Sequence, residues 1–167
     1  MDKWIEIKRT CELSEKRHLE LYISLTRTFD KSLLRHKESQ FRAFKHRDYM
    51  ISFANEIGFC LWWSFRDFAF IEYIFVAENY RGRGIGSELL DSVKDSGKLV
   101  VLEIDETSNI DSFYRANGFV QCDVNYSPIQ LNEAPPKKLA LMSFNRALSE
   151  LEYLDFISII SSDELQF

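Results

Sequence analysis

The sequence is poor in cysteine: Cys11, Cys60 and Cys122 are the only three in 167 residues. They are odd in number and far apart. They form no Cys-x-x-Cys pair and share no zinc spacing with His18, His36 or His46. That pattern predicts reduced, buried thiols and no metal site rather than a disulfide frame. Long apolar runs are also missing. None approaches the roughly 18 residues needed to span a bilayer, and no basic-then-apolar leader opens the chain, so a cytoplasmic protein without a membrane partner is expected. Positive charge is not in excess, because 21 Lys and Arg stand against 26 Asp and Glu for a net charge of −5. A broad phosphate-neutralising surface would need the opposite balance, so no nucleic-acid partner is expected. Repeats and low-complexity linkers are absent too. A chain of this length is expected to form one domain and to bury roughly 70% of its unfolded surface.

What is plentiful is apolar and aromatic character, 46% and 14% of residues. Its spacing gives an order of elements. "KWIEIKR" (3–9) alternates and predicts a strand. Apolar residues fall at helical spacing from Leu13 to Phe29, and a second helix is expected from Ser32 to about Lys45. Residues 48–76 are rich in aromatic and β-branched side chains and are cut by turn signals at 55–58 and 66–67. They predict three consecutive antiparallel strands, the last from about Phe68 to Val76. Ile85, Leu89, Leu90 and Val93 mark an amphipathic helix ended by Gly97. "LVVLEI" (99–104) is a continuous apolar run, as expected of a buried strand with a parallel neighbour. A short helix at 110–117, a strand "FVQCDVNY" (119–126), a loop from Pro128 to Pro136, a strand at 139–144 and a helical tail complete a mixed α/β order.

Three of the six glycines alternate within "RGRGIG" (81–86), between the third strand of the aromatic block and a helix. A helix N-terminus presents unpaired N–H groups and a partial positive charge, and glycine lets an anion reach the backbone. A nucleotide P-loop would need a lysine before Ser87, and a dinucleotide fingerprint would need G-x-G-x-x-G. Gly82, Gly84 and Gly86 are spaced two and two, which fits neither. Residues 81–86 instead resemble the Q/R-x-x-G-x-G/A acyl-CoA signature of the GCN5-related N-acetyltransferases (GNATs). "SFYRANGF" (112–119) is similar to that family's second motif. The resemblance implies a single-domain α/β GNAT fold. Its sheet would be mixed but mostly antiparallel, with strands 4 and 5 splayed and helices flanking it. The domain would cover 1–146, with a C-terminal helical extension at 147–167 packed on it or on a homodimer partner.

The same resemblance implies roles. Acetyl-CoA would be the co-substrate, with no metal. Its pyrophosphate would meet the backbone of Gly82, Arg83, Gly84, Ile85, Gly86 and Ser87, with Arg81 at the signature's first position and Arg83 adding charge. Phe75, Val76 and Ala77 would pair with the pantetheine arm and supply an oxyanion donor. Asn109 would contact CoA or cap the following helix. Tyr114 stands where relatives place a general acid, although a packing role is open to it. Glu72 would accept the amine's proton through a water, or be an ion-paired strand residue. Glu103 and Asp105 are the reserve, either as bases or as recognition groups for a cationic substrate. The implied function is acetyl transfer to a primary amine of a small molecule or peptide. A polyamine, an aminoglycoside or a peptide N-terminus would suit an acidic, aromatic pocket. The alternatives are a catalytically silent CoA-binding module and a tRNA-acetylating, toxin-like GNAT.

Overall fold

The computed structural model describes residues 4–128, 130–135 and 137–162. Its strands are β1 (Ile5–Arg9), β2 (Tyr49–Ala54), β3 (Gly58–Ser64), β4 (Phe68–Val76), β5 (Leu99–Asp105), β6 (Phe119–Gln121) and β7 (Leu139–Phe144). They form one sheet in the order β1-β2-β3-β4-β5-β7-β6. Every neighbouring pair is antiparallel except β4 and β5. The helices are α1 (Glu15–Thr28), α2 (Lys37–Phe44), α3 (Ile85–Lys94), α4 (Asp111–Ala116) and α5 (Glu150–Ile160).

The strand alternation sorts apolar side chains onto two faces. Ile85, Leu89, Leu90 and Val93 of α3 join Ala69, Ile71, Val100 and Leu102 on one face, together with Tyr114 of α4. Leu25 of α1, Phe44 of α2 and Phe156 of α5 join Tyr49, Trp63, Phe70 and Val101 on the other. Phe156 meets Phe68 and Phe70 edge-on, with ring centroids 5.9 and 5.4 Å apart. The helix that carries it starts at a capping box in which Ser149 and Glu152 satisfy each other's backbone N–H groups. Its opposite side exposes Leu151 and Leu154. No helix among the described residues is long and apolar enough to cross a membrane.

Two irregularities shape the centre of the sheet. The parallel ladder between β4 and β5 runs only from Phe68↔Leu99 to Ile71↔Leu102, after which the strands diverge. This is the expected splay. On the other side of β4, Leu61 of β3 faces Tyr73 while Trp62 faces Ile71, so Glu72 is an extra residue in a β-bulge. A bulge interrupts the two-residue period. Strict alternation predicts Glu72 and Tyr73 on opposite faces, whereas Glu72 contacts Tyr49 and Trp63 on the face where Tyr73 also packs.

Two elements differ from the sequence expectation. The second helix begins at Lys37 rather than Ser32. The Asp30 carboxylate accepts from the Ser32 N–H, makes a single 3-10 turn over Lys31–Leu33, and leaves Leu34 extended. That extension delivers Arg35 to the interior, where Glu72 waits. The sixth strand stops at Gln121 instead of running to 126. Cys122 still donates to the Leu141 carbonyl, but Tyr126 leaves the edge and its hydroxyl donates to Glu103. Pro136 of the expected loop and residues 163–167 of the tail lie outside the described residues.

Candidate active site

The loop between β4 and α3 has the backbone that its glycines foretell. Gly82 and Gly84 have φ of +75° and +84°, the left-handed region that costs glycine nothing. Gly84 is the N-cap of α3, so Ile85, Gly86 and Ser87 supply N–H groups that no helical carbonyl accepts. Gly86 is needed for another reason: a Cβ there would stand 3.0 Å from Phe113 Cζ, where α3 and α4 nearly touch. Arg81 donates through Nε to the Val76 carbonyl at 2.9 Å, tying the loop to the end of β4. The Arg83 guanidinium lies 5.5 Å from the Tyr80 ring, at the exposed rim.

Beyond Ile71 the β5-side edge of β4 has no ladder partner. Successive strand residues turn their backbone groups to opposite edges. Ala77 donates to the Ile57 carbonyl at 2.8 Å, toward β3. Phe75 therefore shares that side, and Ile74 and Val76 face the slot between the strands. The expected set of Phe75, Val76 and Ala77 shifts accordingly: only Val76 of the three presents its backbone to the slot, and Ile74 joins it. Asn109 is exposed and its carbonyl accepts from Ser112. It does not cap α4, whose capping residue is Ile110, and its side chain makes no hydrogen bond among the described residues.

A cavity of about 260 Å³ occupies the split between β4 and β5, lined by both strands, by Phe29–Arg35 and by the loop before β7. Tyr114 reaches it from the α3 face. Burial pushes the Tyr114 phenol above its usual range, so it is protonated at neutral pH. Glu72 lies on the opposite side of the sheet and is saturated with donors. Arg35 grips it with two bonds of 2.5 and 2.7 Å, while Tyr49 donates at 2.6 Å and Trp63 at 3.1 Å. Burial alone would raise its pKa, but the Arg35 guanidinium and the Tyr49 and Trp63 donors hold it below the ordinary carboxylate range.

Glu103 is the contrasting carboxylate. Burial pushes it up to about 7, with Glu72 adding repulsion and the Tyr126 hydroxyl opposing the rise. Among the described residues it has no cationic partner. Asp105 is held down to about 2 by the Thr107 hydroxyl, Lys137 and the Thr107 N–H. Lys137 bonds it at 3.0 Å and also lies 3.6 Å from Asp30, pinning the loop before β7 to the segment before α2.

The structure thus brings Glu72, Glu103, Asp105 and Tyr114 to one cavity, with the 81–87 loop and Asn109 outside its lining. Sequence reasoning missed Arg35, Tyr49, Trp63, Lys137 and Ile74. A long-range partner leaves no spacing to read, although an acid inside "FIEYIFV" does signal that some cation must reach it.

Residues 46–121, from before β2 to the end of β6, match the family model described as an acetyltransferase (GNAT) domain. That segment is similar to a GNAT acetyltransferase domain. Solved GNAT structures extend the likeness beyond that segment. A Bacteroides thetaiotaomicron protein assigned to the GNAT acetyltransferases superposes with a TM-score of 0.77 at 19% identity, over 98% of each chain. The ribosomal-protein-S18-alanine N-acetyltransferase of Escherichia coli gives 0.59 at 18% identity, over 87% of this chain and 96% of its own. The PaiA N-acetyltransferase of Thermoplasma acidophilum, solved with coenzyme A, gives 0.54 at 21% identity, over 85% and 99%. At these identities the neighbours establish the GNAT fold alone. A search of curated protein sequences finds no match.

Proposed function

We propose that this GNAT protein transfers an acetyl group from acetyl-CoA to a primary amine, with Glu103 and Tyr114 moving the protons. The observation that carries the reading is one cavity holding a carboxylate near neutrality, Glu103, and a protonated phenol, Tyr114, contributed from opposite faces of the β4/β5 split. Two solved proteins of the same fold are named N-acetyltransferases and one contains coenzyme A, which agrees with this chemistry. The residues present suit that co-substrate. The α3 N-terminus with Gly82, Gly84 and Gly86 would hold the pyrophosphate, with Arg83 adding charge from the rim. The slot-facing backbone of Ile74 and the Val76 N–H, whose own carbonyl accepts from Arg81, would hold the pantetheine.

An alkylammonium titrates near 10.4 and must lose a proton before it can attack. Glu103 accepts that proton directly or through one water. The amine nitrogen then bonds to the thioester carbonyl carbon, a slot-facing N–H of β4 stabilises the oxyanion, and the carbon–sulfur bond breaks. Tyr114 protonates the leaving thiolate and is reprotonated, directly or through water, by the second proton that the new amide nitrogen sheds. Glu72 takes a different role from the base that its strand position suggested. Its four donors leave no lone pair directed at a substrate, and it anchors Arg35 and the bulge.

A thiol-release assay with acetyl-CoA against a panel of amines tests the reading, and amine-dependent CoA release is the expected result. Calorimetry that detects no acetyl-CoA affinity at millimolar concentration would remove it. Affinity without turnover for any amine would leave a CoA-binding module.

A further inference from the structure

The polar groups that line the cavity are nearly all engaged with one another, and that accounting narrows the acceptor. We propose that the acceptor is a small primary amine with a compact apolar body and no anionic group. The inference rests on the transfer reading above and names the substrate class of the same site.

Charge gives the first restriction. Arg35 is buried and held bidentately by Glu72, and its unpartnered Nε is sealed from water and so from a ligand. Lys137 is shared by Asp105 and Asp30. An acceptor carboxylate or phosphate would therefore meet no available cation, and it would lie beside Glu103. A buried charge without a partner is strongly disfavoured. Among the described lining carboxylates only Glu103 lacks a cationic partner, which matches a single ammonium. A second or third ammonium, as in a polyamine, would enter without its own acid.

Hydroxyl accounting gives the second restriction. The Tyr73 hydroxyl donates to the Leu33 carbonyl, Ser32 Oγ to Asp30 at 2.6 Å, and Ser108 Oγ to the Asp105 carbonyl at 2.8 Å. Gln130, exposed at the rim, and the Tyr114 hydroxyl, assigned above to the leaving thiolate, are left to serve a polar substrate. A sugar-like amine or a peptide chain would bury donors and acceptors with little to pair them, at a cost for each. What remains is apolar wall: Phe29, Leu33, Phe70, Tyr73, Leu131 and Ile160. The volume, about 260 Å³, falls below the roughly 300–1,000 Å³ of pockets that hold drug-sized ligands. A short-chain amine bearing an aromatic or branched group fits both the size and the wall.

The test compares phenethylamine, phenylalanine, phenylalanine amide, spermidine and an alanyl tetrapeptide on the full chain. Binding is read by tryptophan fluorescence, since Trp63 lines the cavity, and turnover by CoA release from acetyl-CoA. Phenethylamine is expected to exceed phenylalanine by roughly 100-fold in affinity and in kcat/KM. The amide, which removes only the negative charge, is expected to recover most of that loss. Preferential phenethylamine binding without CoA release from any amine would leave this inference standing and remove the transfer reading. CoA release that favours phenylalanine, spermidine or the tetrapeptide would overturn the inference and keep the transfer. An absence of binding by any of the amines would also overturn it.

Discussion

Two glutamates on the same face of the split sheet differ because their neighbours differ. Glu72 faces a guanidinium, a phenol and an indole N–H, which hold its carboxyl below the ordinary range. Glu103 has one phenol as donor and no cation bonded to it among the described residues, and burial pushes it up to about 7. A base works only when deprotonated, so kcat/KM is expected to rise with pH through about 7 and then level. A raised pKa delays that limb; an ordinary glutamate near 4.3 would leave the profile flat between 5 and 9 apart from the amine's own titration. Glu103→Gln should lower kcat/KM by about 10²–10⁴ and abolish the limb near 7. Steady-state rates from pH 5 to 9 for both proteins check this. A limb that persists in the Gln variant would assign the proton to another group.

At the scale of elements, the bulge in β4 and the extended segment before α2 are one device. The bulge turns Glu72 inward, the Asp30 turn ends one helix start, and Arg35 closes the gap. Removing one partner strands a buried charge, so Arg35→Met should cost about 3–5 kcal/mol in urea unfolding. Arg35→Met with Glu72→Leu should recover most of that loss, because no charge is left unpaired. A double variant as unstable as the single one would show that the bulge itself depends on the pair. The loop before α3 carries its own test. Gly84→Ala forces an L-residue to φ +84°, and a strain of ~1–2 kcal/mol predicts roughly tenfold weaker acetyl-CoA binding by calorimetry. The contrast explains what the sequence disclosed. The strand, glycine loop and α3 are contiguous, so spacing alone exposed them, as it did the parallel apolar run of β5. Arg35 and Glu72 are 37 positions apart, and a one-residue bulge leaves no trace in periodicity. The upward shift of Glu103 comes from burial in the folded chain, and the end of β6 depends on where Tyr126 finds its acceptor.

For the whole molecule, the C-terminal helix packs on the sheet and lines the cavity proposed as the site. Phe156 and Ile160 of α5 are 0% and 1% exposed, in the cluster that also holds Tyr73, Tyr49 and Trp63, and Ile160 lines the cavity. Stability and acceptor fit are therefore linked at one residue. Truncating a buried isoleucine to alanine removes its transfer free energy and leaves space behind, so Ile160→Ala should cost about 2–5 kcal/mol in urea unfolding. The space would open onto the cavity, whose apolar wall, under the proposed function, would define the size of amine admitted. The variant should therefore raise the kcat/KM of naphthylethylamine relative to phenethylamine by about 10-fold, the discrimination a pocket gains from a few methylene-sized contacts. Leu154→Ala, on the exposed side of the same helix, should change neither quantity measurably. A destabilised Ile160→Ala protein with an unaltered acceptor ratio would mean that α5 supports the sheet without bounding the acceptor.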